Sequence, residues 1–268
     1  MTQTMAALCP LTNVTKSKQC VHAEIMKPTT KQYLMDNLYL RGCTGTQTIA
    51  SNHLELESYL RAKMGTATFS MEGHAPYAHL EKWLESMDSM KSTPRHICEV
   101  GFNAGHSAIA WLCAAPAARL TSFDLGTERY TQHAAEFVKQ RFGARFRLIR
   151  GNSISTLHPS SLRRTLMQNS TRSAQKLDMC DVIVIDGGHD FETAKSDMLN
   201  LNAFAADTHR LIMDDIRCPA LHCVGPTFAW DWSRQRQLIE SDGCTVVGPN
   251  IGACFGRFKT PRKMMSHE

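Results

Sequence analysis

From residue 96 onward, short apolar runs alternate with helix-patterned ones, and this alternation limits the fold more than any other feature of the chain. HICEVG, RLTSFDL, RFRLIRG, CDVIVID and HRLIMDD each read as a strand. HSAIAWLCAA, ERYTQHAAEFVKQRFG and DFETAKSDMLNLNAFA carry helical spacing, and a further helix is expected within Ser155 to Met167. Such a repeat calls for an α/β layered fold, a mostly parallel sheet with helices on its faces. CDVIVID is continuously apolar, as a strand covered on both sides must be. Gly143 closes the second helix. Beyond the fifth strand, a helix over Thr227 to Glu240 leads to GCTVVG, the turn Pro249-Asn250 and IGACFGRF, a hairpin and hence antiparallel.

At 268 residues and 43% hydrophobic content, the chain has enough apolar material for one large domain. The expected divisions are an extension over 1–50 (lid, dimer arm or tail), a helical lead-in and covering loop over 51–95, the main domain over 96–258 and a basic tail over 259–268. No apolar run reaches 18 residues, so a membrane span is not expected. The first thirty residues hold one acid, Glu24, and lack an apolar signal core. A cytoplasmic location is expected, with an organellar presequence not excluded. Ten scattered cysteines without a CxxC pair read as small buried hydrophobes in a reducing compartment. Cys218, His222 and Cys223 form a loose cluster that zinc could use. The net charge of +5 is dispersed, and its densest stretch, RFKTPRKMM, lacks interleaved aromatics, so no nucleic-acid partner is expected.

Chemistry concentrates at the strand ends. In EVGFNAGHS, Gly101 and Gly105 let backbone approach a ligand closely, and their G-x-x-x-G spacing departs from the dinucleotide fingerprint. Glu99 closes an apolar strand and needs a partner there. Asp124 ends the second strand, 23 positions after Gly101, where an acid can accept from ribose hydroxyls; a helix-capping role is the alternative. Asp186 ends the fourth strand, and Asp214 and Asp215 the fifth. Three converging carboxylates repel one another unless something positive lies between them. A hard divalent cation would answer that; simple hydrogen-bonding structure is the competing reading.

EVGFNAGHS, SFDLG, IRGNS, VIVIDGGHDFETAKSDM and LIMDDI, in this order, resemble the motifs of class I S-adenosylmethionine-dependent methyltransferases over Met71 to Phe258. Within that class the chain is similar to small-molecule O-methyltransferases of the macrocin and catechol type. The resemblance implies a Rossmann-like, seven-stranded, mostly parallel sheet with a C-terminal antiparallel hairpin. It implies S-adenosylmethionine seated by Glu99, Gly101, Phe102, Asn103, Gly105 and Ser107, with Asp124 on the ribose, Asn152 and Ser153 at the adenine edge, Asp186 alongside, and Gly73 in a loop from Met71 to His74 over the cofactor. It implies Mg²⁺ on Asp186, Asp214 and Asp215. Macrocin-type enzymes place a basic acid where this chain has Gly188. His189, with its near-neutral intrinsic pKa, is the next candidate, acting with Asp186, while Asp190 suits a helix cap. Of Trp230 and Trp232, at most one is expected to stack on substrate. The expected partner is a small-molecule acceptor, and a homodimer is left open. Metal-free N-methylation of a small amine and a non-catalytic cofactor-binding role are the alternatives. A nucleic-acid methyltransferase lacks a basic groove, and a dehydrogenase fits neither the glycine spacing nor the hairpin.

Overall fold

The computed structural model describes residues 43, 47–65, 71, 76–158, 160–161, 179–248 and 251–259. Two helices precede the alternating region, α1 (Ile49–Met64) and α2 (Tyr77–Asp88). There follow β1 (His96–Val100), α3 (His106–Ala114), β2 (Arg119–Asp124), α4 (Thr131–Phe142), β3 (Phe146–Arg150) and the single turn α5 (Ser153–Thr156). The chain continues through β4 (Cys180–Ile185), α6 (Phe191–Asn202), β5 (Ala205–Met213), α7 (Val224–Gln235), β6 (Ile239–Gly248) and β7 (Ile251–Phe258).

The sheet order is β3-β2-β1-β4-β5-β7-β6. The first five of these pair in parallel, while β7 runs antiparallel to both β5 and β6. This is the seven-stranded arrangement that the sequence reading anticipated. β6 starts earlier than GCTVVG, at Ile239, because α7 stops at Gln235. The turn Pro249-Asn250, the stretch Leu162–Met167 and most of the extension and tail lie outside the described residues.

Two apolar clusters sandwich the sheet. One joins Leu56 and Leu60 of α1, Leu80 and Trp83 of α2 and Ile109 and Trp111 of α3 to the sheet. The other joins Met198 and Leu201 of α6 and Trp230 of α7 to its opposite face. The lead-in helices therefore share the main core rather than forming a separate unit. Helix α1 is set by a capping box: the Thr48 hydroxyl accepts from the Ser51 N–H at 3.0 Å, and the Thr48 N–H donates to the Ser51 hydroxyl at 2.9 Å.

The cysteines differ from the free-thiol expectation. Cys43–Cys113, Cys98–Cys180, Cys218–Cys223 and Cys244–Cys254 are disulfide-bonded. No spacing rule could show this, because Cys98 and Cys180, 82 positions apart, meet only once β1 and β4 pair. Among the described residues, no helix is long and apolar enough to cross a membrane.

Candidate active site

The parallel strands end together, and backbone bonding carries the alignment one residue past each strand. The Gly101 N–H donates to Phe123 O (2.8 Å), Asp186 N–H to Val100 O (2.9 Å) and Asp214 N–H to Ile185 O (2.9 Å). Gly101 is required here. Its φ is +94°, and a Cβ would lie 1.7 Å from the Asp186 carbonyl oxygen, so the β1 and β4 loops touch through bare backbone. Beyond this edge opens a cavity of about 750 Å³, within the size range of small-molecule sites.

One side of the cavity is built around Asp124. Its Oδ2 accepts the N–H groups of Phe102 (2.9 Å) and Asn103 (2.8 Å), and its Oδ1 accepts that of Gly126 (2.6 Å). The carboxylate thus ties the glycine turn after β1 to the loop after β2. Asn103, held at φ +48°, receives the Tyr130 hydroxyl on Oδ1 at 2.7 Å. Asn152 and Ser153 complete this side. Asn152 also caps α5, its Oδ1 accepting the Ile154 N–H at 2.9 Å. Gly101, Asn103, Asp124, Asn152, Ser153 and Asp186 all face the cavity.

Other residues named for the cofactor sit differently. Glu99 is buried beneath the cavity, where its Oε2 accepts the Ser122 hydroxyl at 2.7 Å. Burial pushes its pKa from 4.5 up to about 7, against the Ser107 and Ser122 hydroxyls and the Trp111 indole. Ser107 therefore serves Glu99 instead of the cavity wall. Phe102 turns into the core against Phe146, ring centroids 5.2 Å apart. Gly105 packs under the Phe102 ring, where a Cβ would come within 2.8 Å, and opens α3 with φ +85°. These side chains support the turn from behind because β1 and α3 are covered on that face. Gly73, Glu72 and His74 lie outside the described residues.

The other side of the cavity carries carboxylates and imidazoles. Asp214, 7% exposed, is bound by the Nε2 of His79 at 2.5 Å. Asp215 is bracketed: His189 Nε2 lies 2.9 Å from Oδ2 and His222 Nε2 3.4 Å from Oδ1. The Asp215 contact raises the pKa of His189, against partial burial. Burial, then repulsion from Asp214 and Asp215, holds Asp186 well above the ordinary carboxylate range. Asp190 caps α6, its Oδ1 accepting the Thr193 N–H at 2.9 Å. At Gly188, a Cβ would fall 2.6 Å from the Thr193 methyl, so that first turn of α6 leaves little room for an acid.

The metal set differs from the expectation of three carboxylates. Asp214 is drawn to His79, whereas Asp186, His189 and Asp215 bring one ligand atom each to within 4.8 Å of one another. Two of the three carboxylates expected to hold a cation, Asp186 and Asp215, belong to this group, with His189 as its third member. Neither tryptophan reaches the cavity. Trp230 is fully buried, and Trp232 lies under Arg236, 4.3 Å from ring centroid to guanidinium.

His79, Tyr130 and His222 were missed in the sequence. Nothing local marks His79, which is 135 positions from Asp214 and reaches it only because α2 packs over the strand ends. In the sequence His222 groups with its neighbouring cysteines; its approach to Asp215 depends on the loop after β5 folding back.

Sheet order and the glycine turn at the strand ends give this chain the seven-stranded fold of class I methyltransferases. Residues 98–216 match the family described as a methyltransferase domain. Among solved structures, an O-methyltransferase from Bacillus cereus in complex with SAH is 14% identical, with a TM-score of 0.57 over 85% of this chain and 96% of that one. The caffeoyl-CoA O-methyltransferase assigned in Staphylococcus aureus is 11% identical, with a TM-score of 0.56 over 85% of this chain and 100% of that one. The SAH-bound Podospora anserina methyltransferase PaMTH1 is 15% identical, with a TM-score of 0.54 over 91% of this chain and 100% of that one. No curated protein matches the sequence.

Proposed function

We propose that the chain transfers a methyl group from S-adenosylmethionine to a hydroxyl of a small molecule, with His189 taking the proton. The observation that carries this reading is the His189–Asp215 pair at 2.9 Å, lining the same cavity as Gly101 and Asp124. S-adenosylmethionine supplies an electrophilic methyl on a cationic sulfur. The cavity wall suits such a ligand: Asp124, Glu128, Asp186, Asp190, Asp214 and Asp215 line it, and among the described residues no Lys or Arg does. The same charge disfavours a phosphate, carboxylate or nucleic-acid acceptor. SAH-bound relatives of the same fold support the cofactor.

Asp215 orients the His189 ring. With Nε2–H donated to Asp215, Nδ1 is the basic nitrogen, and the half-exposed side chain presents it to an entering acceptor. A divalent cation on Asp186, His189 and Asp215 is the second reading, favoured by their gathered ligand atoms; it would hold the acceptor hydroxyl and lower its pKa.

The test is a methyl-transfer screen of phenols, sugars and amines, run with a divalent cation and with excess EDTA, alongside calorimetric titration of S-adenosylhomocysteine. Turnover of a hydroxyl acceptor in EDTA is expected, with a loss of about 10²–10⁴-fold in His189→Gln at unchanged S-adenosylhomocysteine affinity. Methylation of amines alone moves the assignment to nitrogen transfer, and loss of all turnover in EDTA moves it to the metal reading. Absence of S-adenosylhomocysteine binding leaves the fold as a non-catalytic scaffold.

A further inference from the structure

The loop from Asp215 to Cys223 leaves the carboxylate edge and returns as the start of α7. Two non-glycine residues in it, Asp215 (φ +50°) and Arg217 (φ +64°), sit in the left-handed region, so the loop is held in a conformation its residues do not favour by themselves. Its first half is held by Ile216 N–H to Gly252 O (3.0 Å), Arg217 N–H to the Thr227 hydroxyl (2.9 Å) and the Arg217–Asp231 pair, and its second half is closed by the Cys218–Cys223 disulfide, five positions apart. His222 lies inside that closed loop. Its Nε2 faces Asp215 Oδ1 at 3.4 Å and Cys218 Sγ at 3.9 Å, and its ring stands 5.6 Å from that of His189. His222 also lines the cavity.

We propose that Cys218 and Cys223 form a thiol–disulfide exchange site that accepts electrons from a dithiol and, in its oxidised state, latches His222 onto Asp215 at the cavity mouth. The exchange balances simply. A dithiol thiolate attacks one sulfur, the second thiol resolves the mixed disulfide, and the products are two cysteine thiols and an oxidised dithiol. Cys218 is only half-buried and Cys223 is buried, so attack falls on the Cys218 side. The other pairs are placed differently. Cys43–Cys113 and Cys98–Cys180 have both partners buried. Cys244–Cys254 bridges β6 and β7, whose ladder hydrogen bonds hold the same register without it. The Cys218–Cys223 bridge closes the segment that carries the cavity histidine His222, whereas the hairpin spanned by Cys244–Cys254 brings only the side chain of Ile251 to the cavity among the described residues. Opening the Cys218–Cys223 bridge frees the 218–223 segment that carries His222, and His222 swings away from Asp215.

The full chain is tested without any acceptor, so the outcome is independent of the proposed reaction. Oxidised and dithiothreitol-treated protein are alkylated and mapped by peptide mass spectrometry. Carbethoxylation of His222 is timed in both states with diethyl pyrocarbonate, together with the Cys218→Ser/Cys223→Ser variant and a Cys244→Ser/Cys254→Ser control. Expected are dithiol-dependent labelling of Cys218 and Cys223, several-fold faster His222 modification on reduction, and the same fast rate in Cys218→Ser/Cys223→Ser without reductant. The control should keep the dithiol response. S-adenosylhomocysteine affinity should be unchanged throughout, which also shows that the variants are folded. The proposal is overturned by equal His222 rates in both states. It is equally overturned if the purified chain holds zinc on unlabelled Cys218 and Cys223 thiols.

Discussion

Replacing Glu99 by Gln should stabilise the protein at neutral pH and leave it nearly unchanged in acid. Glu99 is 1% exposed, its Oε2 accepts the Ser122 hydroxyl at 2.7 Å, and the Ser107 hydroxyl and Trp111 indole also face it. Its pKa rises from the ordinary 4.5 to about 7 on folding, chiefly by burial. Below 4.5 both states carry the proton and the residue contributes no pH dependence. Between 4.5 and about 7 the unfolded chain releases its proton while the folded one keeps it, so stability falls as pH rises. At about 1.4 kcal/mol per pH unit, the loss levels off near 3 kcal/mol above pH about 7. Gln keeps the shape and an acceptor for Ser122 without a charge to desolvate. The assay is urea unfolding of both proteins across this pH window, without cofactor. The gap in favour of Glu99→Gln should open from near zero to about 3 kcal/mol. A gap that does not change with pH, or a variant destabilised equally throughout, would refute the claim that this carboxyl stays protonated in the fold.

Asp124→Asn turns an acceptor pair that holds three N–H groups into one oxygen and one competing donor. S-adenosylhomocysteine affinity by calorimetry should fall by about tenfold or more, as one charge-assisted hydrogen bond is worth about 1.5–3 kcal/mol; unchanged affinity would separate this turn from the cofactor. His79→Leu removes the imidazole from buried Asp214, and a loss of about 3 kcal/mol is expected at pH 8 in urea unfolding. The loss should shrink at pH 5, because burial already raises the pKa of Asp214 and favours its protonated form. A loss independent of pH would mean that His79 contributes packing alone.

The element order was legible because each signal is local. CDVIVID reads as a two-sided strand from its composition, and the acids closing β2, β4 and β5 announce their place at the sheet's carboxyl edge before any fold is known. Gly101 was legible as a close approach, although the backbone it approaches turned out to be that of Asp186. Less was legible within a single turn: Glu99, Phe102, Asn103 and Ser107 are sequence neighbours, yet only Asn103 lines the cavity. Which of them faces solvent depends on what α3 and β2 lay against the other side.

By itself, the sequence determined the alternating architecture, the terminal hairpin and the gathering of Asp124, Asp186, Asp214 and Asp215 at one edge, because periodicity and strand ends are properties of neighbouring residues. Only the tertiary structure decided how those acids are neutralised. His79 arrives from α2, His189 from the loop after β4 and His222 from the loop after β5, and the four cysteine pairs close across separations of 5 to 82 positions. Such partners are chosen by distance after packing, and distance in space leaves no periodic trace along the chain.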